Sequence, residues 1–224
     1  MSAPECIGII LDGNRRWAKR EGLPSLEGHR RGADRLIECV RWVRDREIKH
    51  LVVYAFSTEN WNRMEEEVSY LMDLFRETAE RTLKELAKDN VRVRFIGKLD
   101  MLPEDLQRTI KRLEETSATN TGITLWICMS YGSRAEIAAA ATAAAHAGET
   151  VTEENFSKYL WSADMPDPAL IIRTSGRHRL SNFLLWQAAY SELFFLDTLW
   201  PDFSEADLDR VLAEFAETER TFGV

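Results

Sequence analysis

The sequence predicts an α/β fold in which a mostly parallel central sheet is flanked by helices. Short β-branched or apolar runs, typical of buried strands, occupy residues 7–11, 51–56, 91–96, 123–129 and 170–172. Longer amphipathic segments separate these runs. Strands that alternate with helices form repeated βαβ units, whose strands are parallel and whose helices cover both faces of the sheet.

The segments between the strands carry helix signals in chain order. Apolar residues recur at helical spacing in residues 36–43 and again in 68–79. Pro103 with two acidic residues after it is typical of a first helical turn. Residues 138–145 have very high helix propensity, and the pair Ser204 and Asp207 resembles a capping box before a last helix.

Length and composition limit the fold and the function. The chain has 224 residues, 45% of them hydrophobic and 29% charged, which suits one globular domain over residues 1–224, since neither a repeat nor a linker interrupts it. The formal net charge of −8 argues against a general nucleic-acid-binding protein. Any site for an anion must therefore be a local cluster of cations.

The cysteines and the apolar runs point to a cytoplasmic protein. Cys6, Cys39 and Cys128 form no CxxC pattern and no zinc-ligand spacing, so we expect reduced thiols. The sequence contains neither a signal-peptide pattern nor an apolar run long enough to span a bilayer, so no transmembrane segment is expected.

The first candidate site directly follows the first predicted strand. Its residues are Asp12, Gly13, Asn14, Arg15, Arg16 and Trp17. The glycine lets the backbone turn and approach a ligand, the arginines can neutralise phosphate oxygens, and the carboxylate suits Mg²⁺. Taken alone, the segment is equally compatible with a turn that carries solvated arginines.

A second cluster follows the strand predicted at residues 170–172. It comprises Arg173, Thr174, Ser175, Gly176, Arg177, His178, Arg179, Leu180 and Ser181. Cations and hydroxyls at the carboxyl end of a strand favour an anion site, because ligands of open α/β sheets bind beyond that end. The alternative is a solvated basic loop.

Two further segments carry polar groups. Ser57, Asn60, Trp61 and Arg63 follow the second predicted strand and gather hydroxyl, amide and cationic groups around an aromatic ring. Glu192 precedes an apolar run and is either a solvated charge at a helix end or a metal ligand; its spacing alone favours the solvated charge.

The motifs that are absent from the sequence narrow the enzyme classes. The chain has no Walker A lysine loop, no dinucleotide-type GxGxxG and no G-x-S-x-G elbow. These absences argue against an ATPase, a Rossmann dehydrogenase and an α/β-hydrolase.

Together, the motifs closely resemble the cis-prenyltransferase family, which includes undecaprenyl diphosphate synthase. The resemblance runs from residue 7 to residue 223. Its matching parts are residues 12–18; Gly28, His29 and Gly32; residues 54–63, 131–134 and 170–187; Glu192; residues 200–203; and Arg220, Phe222 and Gly223.

The resemblance implies a homodimeric, Mg²⁺-dependent enzyme that joins an allylic diphosphate to isopentenyl diphosphate and forms cis double bonds. It implies that residues 13–16 hold the allylic diphosphate with His29 close by. It also implies that Arg173, Arg179 and Ser181 hold isopentenyl diphosphate, and that Asp12 and Glu192 contribute to the metal site. We include Trp17, Arg63, Arg177 and His178 among the substrate-binding candidates.

Further expectations concern turnover and the hydrocarbon chain. Ser57, Asn60 and Trp61 match positions associated with substrate placement and turnover. His29 is either a base or a hydrogen-bonded structural histidine. A deep apolar tunnel between the sheet and the helices must house the hydrocarbon, and the helix at residues 68–75 could form one wall.

Three positions depart from the family pattern. Arg177 stands where the family has Glu, Ser25 where many members have Arg, and Trp126 where a smaller polar residue is usual. From these departures we expect a short product or, alternatively, irregular head-to-middle coupling with dimethylallyl diphosphate as second substrate. Trp126, Tyr70 and Phe75 are candidates for blocking the tunnel.

Two other classes remain open at this point. A non-catalytic partner subunit of a prenyltransferase complex would keep the fold and lose catalytic residues, yet Asp12, Arg16 and Asn60 are present. A generic phosphate-binding α/β module is a weaker option, and such a module needs no apolar tunnel.

Overall fold

The computed structural model describes residues 3–86 and 89–218. Its strands are β1 (Cys6–Ile10), β2 (His50–Ser57), β3 (Arg92–Ile96), β4 (Thr124–Tyr131), β5 (Leu170–Arg173) and β6 (Glu192–Phe195). They form one sheet in the order β3-β4-β2-β1-β5-β6, and every neighbouring pair is parallel. The predicted fold class is confirmed.

The helices fill the segments between the strands. They are α1 (Asn14–Arg20), α2 (Ser25–Asp45), α3 (Glu65–Leu86), α4 (Glu104–Ser117), α5 (Ser133–His146), α6 (Glu153–Phe156) and α7 (Glu205–Glu217). Short 3-10 helices occupy Thr58–Asn62, Leu99–Met101, Ser157–Tyr159 and Trp200–Asp202. The capping box before α7 is present, because Ser204 Oγ accepts a hydrogen bond from the Asp207 backbone N–H at 3.2 Å.

Two alternatives that the sequence left open do not match the structure. The segment after β1 is not a simple turn: α1 begins at Asn14, so Arg15 and Arg16 lie in a first helical turn. Glu192 does not end a helix but begins β6, a four-residue strand at the edge of the sheet. A strand this short and half-exposed carries too little periodicity to be recognised.

The two faces of the sheet pack against different layers. On one face, Ile7, Ile9 and Leu51 belong to a core that also contains buried residues of α2 and α7. On the other face, Val52 and Trp126 pack with Met165 and Phe183, which lie in long connections. Helices α3 and α4 share a third cluster around Phe56 and Met129. This arrangement places α2, α3 and α4 together over one side of the sheet.

Further sequence expectations can be compared with the described residues. Cys6, Cys39 and Cys128 are free and buried. Within residues 3–86 and 89–218, no helix is both long and apolar enough to cross a membrane. Arg220, Phe222 and Gly223, which contribute to the family resemblance, lie outside the described residues.

Candidate active site

A cavity of about 930 Å³ lies between the sheet and the helices α2, α3 and α4. Its mouth is polar and lies at the carboxyl ends of the strands, where it is lined by Asp12, Asn14, His29, Ser57, Glu59, Asn60, Arg63, Arg134, Arg173, Arg179, Ser181 and Asn182. Its interior is apolar, with Leu36, Ile37, Val40, Leu71, Leu74, Phe75, Val93, Phe95, Leu106, Ile110, Leu113, Leu125 and Ile127. The volume is at the upper end of the ~300–1,000 Å³ typical of small-molecule sites.

Asp12 and Arg173 form a pair at the centre of the mouth. Asp12 follows β1, and Arg173 is the last residue of the neighbouring strand β5. The register of the two strands places Ile10 opposite Arg173. Arg173 Nη2 donates to Asp12 Oδ2 at 2.7 Å, and the Arg173 side chain is only 5% exposed. Burial alone would raise the pKa of Asp12, but Arg173, with Arg16, more than offsets it and holds that pKa below its usual value. The carboxylate is therefore ionised at neutral pH.

The start of α1 packs tightly below the mouth. Gly13 has φ 115°, and a Cβ there would lie 3.0–3.1 Å from Leu199, so the turn requires glycine. Arg16 Nη1 donates to the Ser175 carbonyl at 2.9 Å, and Arg16 Nη2 lies 3.6 Å from Asp12 Oδ1. Trp17 Nε1 donates to Asp202 Oδ1 at 2.7 Å, so its indole ties α1 to the segment before α7.

The loop after β5 carries the second group of cations. Ser181 Oγ accepts from Arg173 Nη1 at 2.7 Å and from Arg179 Nε at 3.2 Å, and Arg173 also donates to the Arg179 carbonyl. All three residues line the mouth. Arg173, Arg179 and Ser181 of the predicted cluster are thus brought together with Asp12 at the mouth.

The 3-10 helix after β2 is held by its own cap. The Asn60 side-chain oxygen accepts from the Ser57 backbone N–H at 3.0 Å, and both residues line the mouth. Trp61 instead donates from Nε1 to Ser130 Oγ at 2.9 Å and packs edge-on against Phe56. Trp61 therefore supports this segment from behind and does not line the cavity.

A buried carboxylate organises the cations near α2 and α3. Glu67 is only 9% exposed and accepts from Arg63 Nη1 at 2.9 Å, while Arg15 Nη1 lies 3.7 Å away. His29 Nε2 lies 3.9 Å from Glu67 Oε1, beyond hydrogen-bond distance. Burial, followed by the charge of Arg63, lowers the pKa of His29 to about 4. The imidazole is therefore neutral near pH 7.

We expect the depressed pKa of His29 to make stability fall in mild acid. The unfolded histidine has a pKa near 6.5, so between about pH 6.5 and 4 the unfolded chain binds a proton that the folded chain excludes. The loss between pH 6.5 and 4.5 is on the order of 2 kcal/mol. Urea unfolding of the wild type and of His29→Gln across this range measures it. The wild-type stability should decline more steeply than that of the variant, and parallel pH profiles would contradict the assignment.

Several predicted site residues lie away from the cavity. Arg177 and His178 are exposed, and the His178 ring stacks on Phe195 of β6 with 4.9 Å between ring centroids. Glu192 pairs in register with Leu170, which lies opposite Ile7, five residues before Asp12. The two carboxylates of the predicted metal pair thus lie towards opposite ends of the sheet. One chain does not bring them to a common ion, whose oxygen ligands must lie within about 2.0–2.6 Å.

The suggestion that Trp126 blocks the cavity is wrong. Trp126 packs on the opposite face with Val52 and Met165, and its Nε1 donates to His50 Nδ1 at 3.1 Å, whereas the neighbouring Leu125 and Ile127 line the cavity. Strand alternation gave the period but not which residues face inward.

Two other positions that the sequence singled out, Tyr70 and Ser25, do not line the cavity. Tyr70 is not among the lining residues; its hydroxyl donates to the Leu26 carbonyl at 3.5 Å. Ser25 is the exposed first residue of α2. Of the three proposed obstacles, only Phe75 lines the cavity.

Four residues at the site, Glu59, Glu67, Arg134 and Asn182, were not among the predicted site residues. Glu67 carried a usable signal, because it lies four residues after Arg63 at the start of a helix. Glu59 and Asn182 form a hydrogen bond between loops that are 123 residues apart, from Asn182 Nδ2 to Glu59 Oε1 at 2.9 Å. No local pattern in a sequence predicts such a contact.

The arrangement is suited to a ligand with an anionic head and an apolar tail. Arginines converge on the mouth although the whole chain is acidic, and the interior beyond them is apolar. Anionic oxygens are held by arginine forks, while the tail is driven inward by the hydrophobic effect.

Comparison with known proteins identifies the family. The family model for putative undecaprenyl diphosphate synthase matches residues 10–223. The chain belongs to this family of cis-prenyltransferases. This family member is a prenyltransferase enzyme, as the sequence analysis predicted.

Relatives of this prenyltransferase are similar over nearly their full length. An isoprenyl transferase of Fusobacterium nucleatum is 49% identical over 98% of this chain and 96% of its own. A ditrans,polycis-undecaprenyl-diphosphate synthase of Micrococcus luteus is 43% identical over 98% of this chain and 91% of its own. The crystal structure of lavandulyl diphosphate synthase from Lavandula x intermedia with dimethylallyl diphosphate has a TM-score of 0.95 and 35% identity, covering 100% of this chain and 99% of that one.

Proposed function

We propose that this prenyltransferase elongates an allylic diphosphate with isopentenyl diphosphate and releases diphosphate. The observation that carries the proposal is that one cavity combines an arginine-rich mouth with an apolar interior. A generic phosphate-binding module would not need the apolar interior.

The charged groups divide between two diphosphate half-sites. Arg15, Arg16 and the first turn of α1 would hold the allylic diphosphate, since a helix N-terminus and arginine forks both favour anions. Arg173, Arg179 and Ser181 would hold isopentenyl diphosphate on the other side of Asp12. Asp12 separates the half-sites while contacting cations of both.

The residues present fit Mg²⁺ as the metal. Mg²⁺ is commonly held by one or two carboxylates together with water and substrate phosphates, and Asp12 offers one ionised carboxylate at the mouth. Among the described residues no group of three or more His, Cys, Asp or Glu side chains could hold a metal alone, so the remaining ligands would come from substrate and water. When bound, Mg²⁺ would stabilise the negative charge that develops on the departing diphosphate.

The chain's own residues then supply placement and charge. The bond between the allylic carbon and the diphosphate oxygen breaks, and its electron pair leaves with the diphosphate. Arg15 and Arg16 neutralise the negative charge that develops there. The double bond of isopentenyl diphosphate, held by Arg173 and Arg179, forms the new C–C bond, and a proton is then lost. His29 is neutral and lines the same mouth, which supports it as the proton acceptor. Ser57 and Asn60 line that mouth as well.

The cavity supports a product of several isoprene units. Its lining runs from Ser57, at the carboxyl end of β2, to Leu125 and Val93, each the second residue of its strand. The cavity is therefore roughly 20 Å long in the direction of the strands, at a rise of about 3.3 Å per strand residue. Phe75 of α3 lines this cavity and is the side chain on which the proposal of a short product rests.

Product analysis tests the proposal. The protein is incubated with Mg²⁺ and with dimethylallyl, geranyl or farnesyl diphosphate, each with and without isopentenyl diphosphate, and products are identified by mass spectrometry. We expect chain extension only when isopentenyl diphosphate is present. Absence of any transfer would refute the proposed activity and favour a non-catalytic partner subunit, and a product of C50 or longer would refute a short product.

Irregular coupling of two dimethylallyl units is the second candidate. It is supported by the close structural similarity to lavandulyl diphosphate synthase and by Arg177 in the loop beside the second half-site. Product from dimethylallyl diphosphate alone would establish it. Relatives called isoprenyl transferases are more similar in sequence, which favours regular elongation.

The edge strand supports a homodimer. Among the described residues β6 has a neighbouring strand on one side only. Tyr190, just before β6, and Leu193, within it, are 71% and 43% exposed. Exposed large apolar groups next to an open strand edge favour association with a second copy. Glu192, which is distant from Asp12 in one chain, would lie in such an interface.

A further inference from the structure

Asn182 lies where three segments of the cavity mouth meet. Its Nδ2 donates to Glu59 Oε1 at 2.9 Å, its Oδ1 accepts from the Arg134 backbone N–H at 2.9 Å, and its carbonyl accepts from the Ser133 N–H at 2.8 Å. Glu59 belongs to the 3-10 helix after β2, and Arg134 belongs to the start of α5. One asparagine therefore connects the loop after β5 with the 3-10 helix after β2 and with the start of α5.

The backbone around Asn182 indicates that these contacts determine its position. Ser181 and Asn182 have φ of 50° and 66°, a left-handed conformation that non-glycine residues adopt at a cost unless surrounding contacts impose it. Gly132 leaves room for the junction, because a Cβ there would lie 2.6 Å from Thr58 Oγ1 and 2.7 Å from Asn182 Nδ2. The three segments thus approach one another as closely as their atoms allow.

The bond between Asn182 and Glu59 joins the second half-site to the 3-10 helix after β2. Asn182 directly follows Ser181, whose hydroxyl accepts from Arg173 and Arg179. Glu59 directly precedes Asn60, whose side chain caps the segment that contains Ser57. A displacement of this bond would move the second-substrate arginines relative to the 3-10 helix on the opposite side of the mouth.

We infer that Asn182 and Glu59 are a positioning pair that sets the second half-site relative to the 3-10 helix that carries Ser57 and Asn60. The inference rests on the proposed function for the identity of that half-site. Glu59 acts here as an acceptor, because Asn182 donates to one carboxylate oxygen and Thr58 Oγ1 donates to the other at 3.1 Å. Burial raises the pKa of Glu59, but these hydrogen bonds more than offset it and keep the carboxylate ionised.

Exchanging donor and acceptor tests the pair. Asn182→Asp keeps the acceptor for Arg134 but turns the donor towards Glu59 into a second carboxylate oxygen, and we expect kcat/KM for the second diphosphate to fall about tenfold. Glu59→Gln can present its amide oxygen to Asn182 and should lose less than about threefold. The double variant restores one donor facing one acceptor, so it should recover most of the activity lost in Asn182→Asp. Glu65→Gln, which removes an exposed charge at the start of α3, is the matched control.

Two readouts separate the outcomes. Titration with inorganic diphosphate in the presence of Mg²⁺ measures binding without turnover, so the pair remains testable if no prenyl transfer occurs and the proposed function fails. Recovery of thermal stability without recovery of diphosphate binding or kcat/KM would show a merely structural bond and overturn the inference, as would wild-type kinetics for Asn182→Asp. If Asn182→Asp does not fold, a loss in Glu59→Ala that is absent in Glu59→Gln supports the pair, and equal behaviour of the two variants overturns it.

Discussion

Asp12→Asn should lower kcat by about 10²- to 10³-fold while the protein remains folded. The amide keeps the size of the side chain and one oxygen that accepts from Arg173. It removes the negative charge that would bind Mg²⁺ and that attracts both Arg173 and Arg16. Asp12 is 31% exposed, so the variant buries no new unsatisfied group of consequence. Steady-state rates at saturating concentrations of both diphosphates measure the effect.

Controls distinguish this chemical role from a general effect of charge. Asp100→Asn removes an exposed carboxylate that does not line the cavity and should leave the rate unchanged. The Mg²⁺ concentration needed for half-maximal rate should rise in Asp12→Asn alone. A rate within tenfold of wild type at every Mg²⁺ concentration would exclude Asp12 as the essential carboxylate.

Arg173→Met should damage both stability and second-substrate binding. The guanidinium holds Asp12, Ser181 and the backbone of the loop after β5, and breaking a buried ion pair by removing one partner costs about 3–5 kcal/mol. Because Asp12 is partly hydrated, we expect the lower end, about 3 kcal/mol. Without this anchor and its charge, the KM for the second diphosphate should rise about 100-fold.

Arg173→Lys gives the matched comparison. Lysine keeps the charge beside Asp12 but cannot present a planar fork to several acceptors at once. It should recover most of the stability lost in the Met variant and little of the substrate affinity. Chemical denaturation and substrate saturation curves measure the two quantities. If Arg173→Met keeps its affinity for the second diphosphate, Arg173 is only structural.

The sequence predicted much of the framework because its signals are local. The parallel α/β architecture and five strands, to within two residues, followed from apolar periodicity and from caps such as Ser204 with Asp207. The cations after β1 and β5 were predicted to lie at the carboxyl ends of strands, beyond which open α/β sheets bind their ligands. The Asp12–Arg173 contact agrees with that prediction.

The remainder depended on information that periodicity does not contain. Alternation along β4 could not say which face Trp126 occupies. The half-exposed β6 was too short to recognise, so Glu192 was considered only as a charge at a helix end or as a metal ligand. Contacts such as Glu59 with Asn182 depend on how loops fold back over the sheet.

The central position of β1 has a consequence for how the protein is made. β1 pairs with β2, which begins 40 residues later, and with β5, which lies more than 150 residues further along. Synthesis supplies the first four strands well before β5, and contacts so distant in sequence form late because closing the loop is entropically costly. Asp12 therefore has no Arg173 beside it until most of the chain has left the ribosome. In a nascent chain whose β5 has not yet paired with β1, the proposed diphosphate site is therefore incomplete.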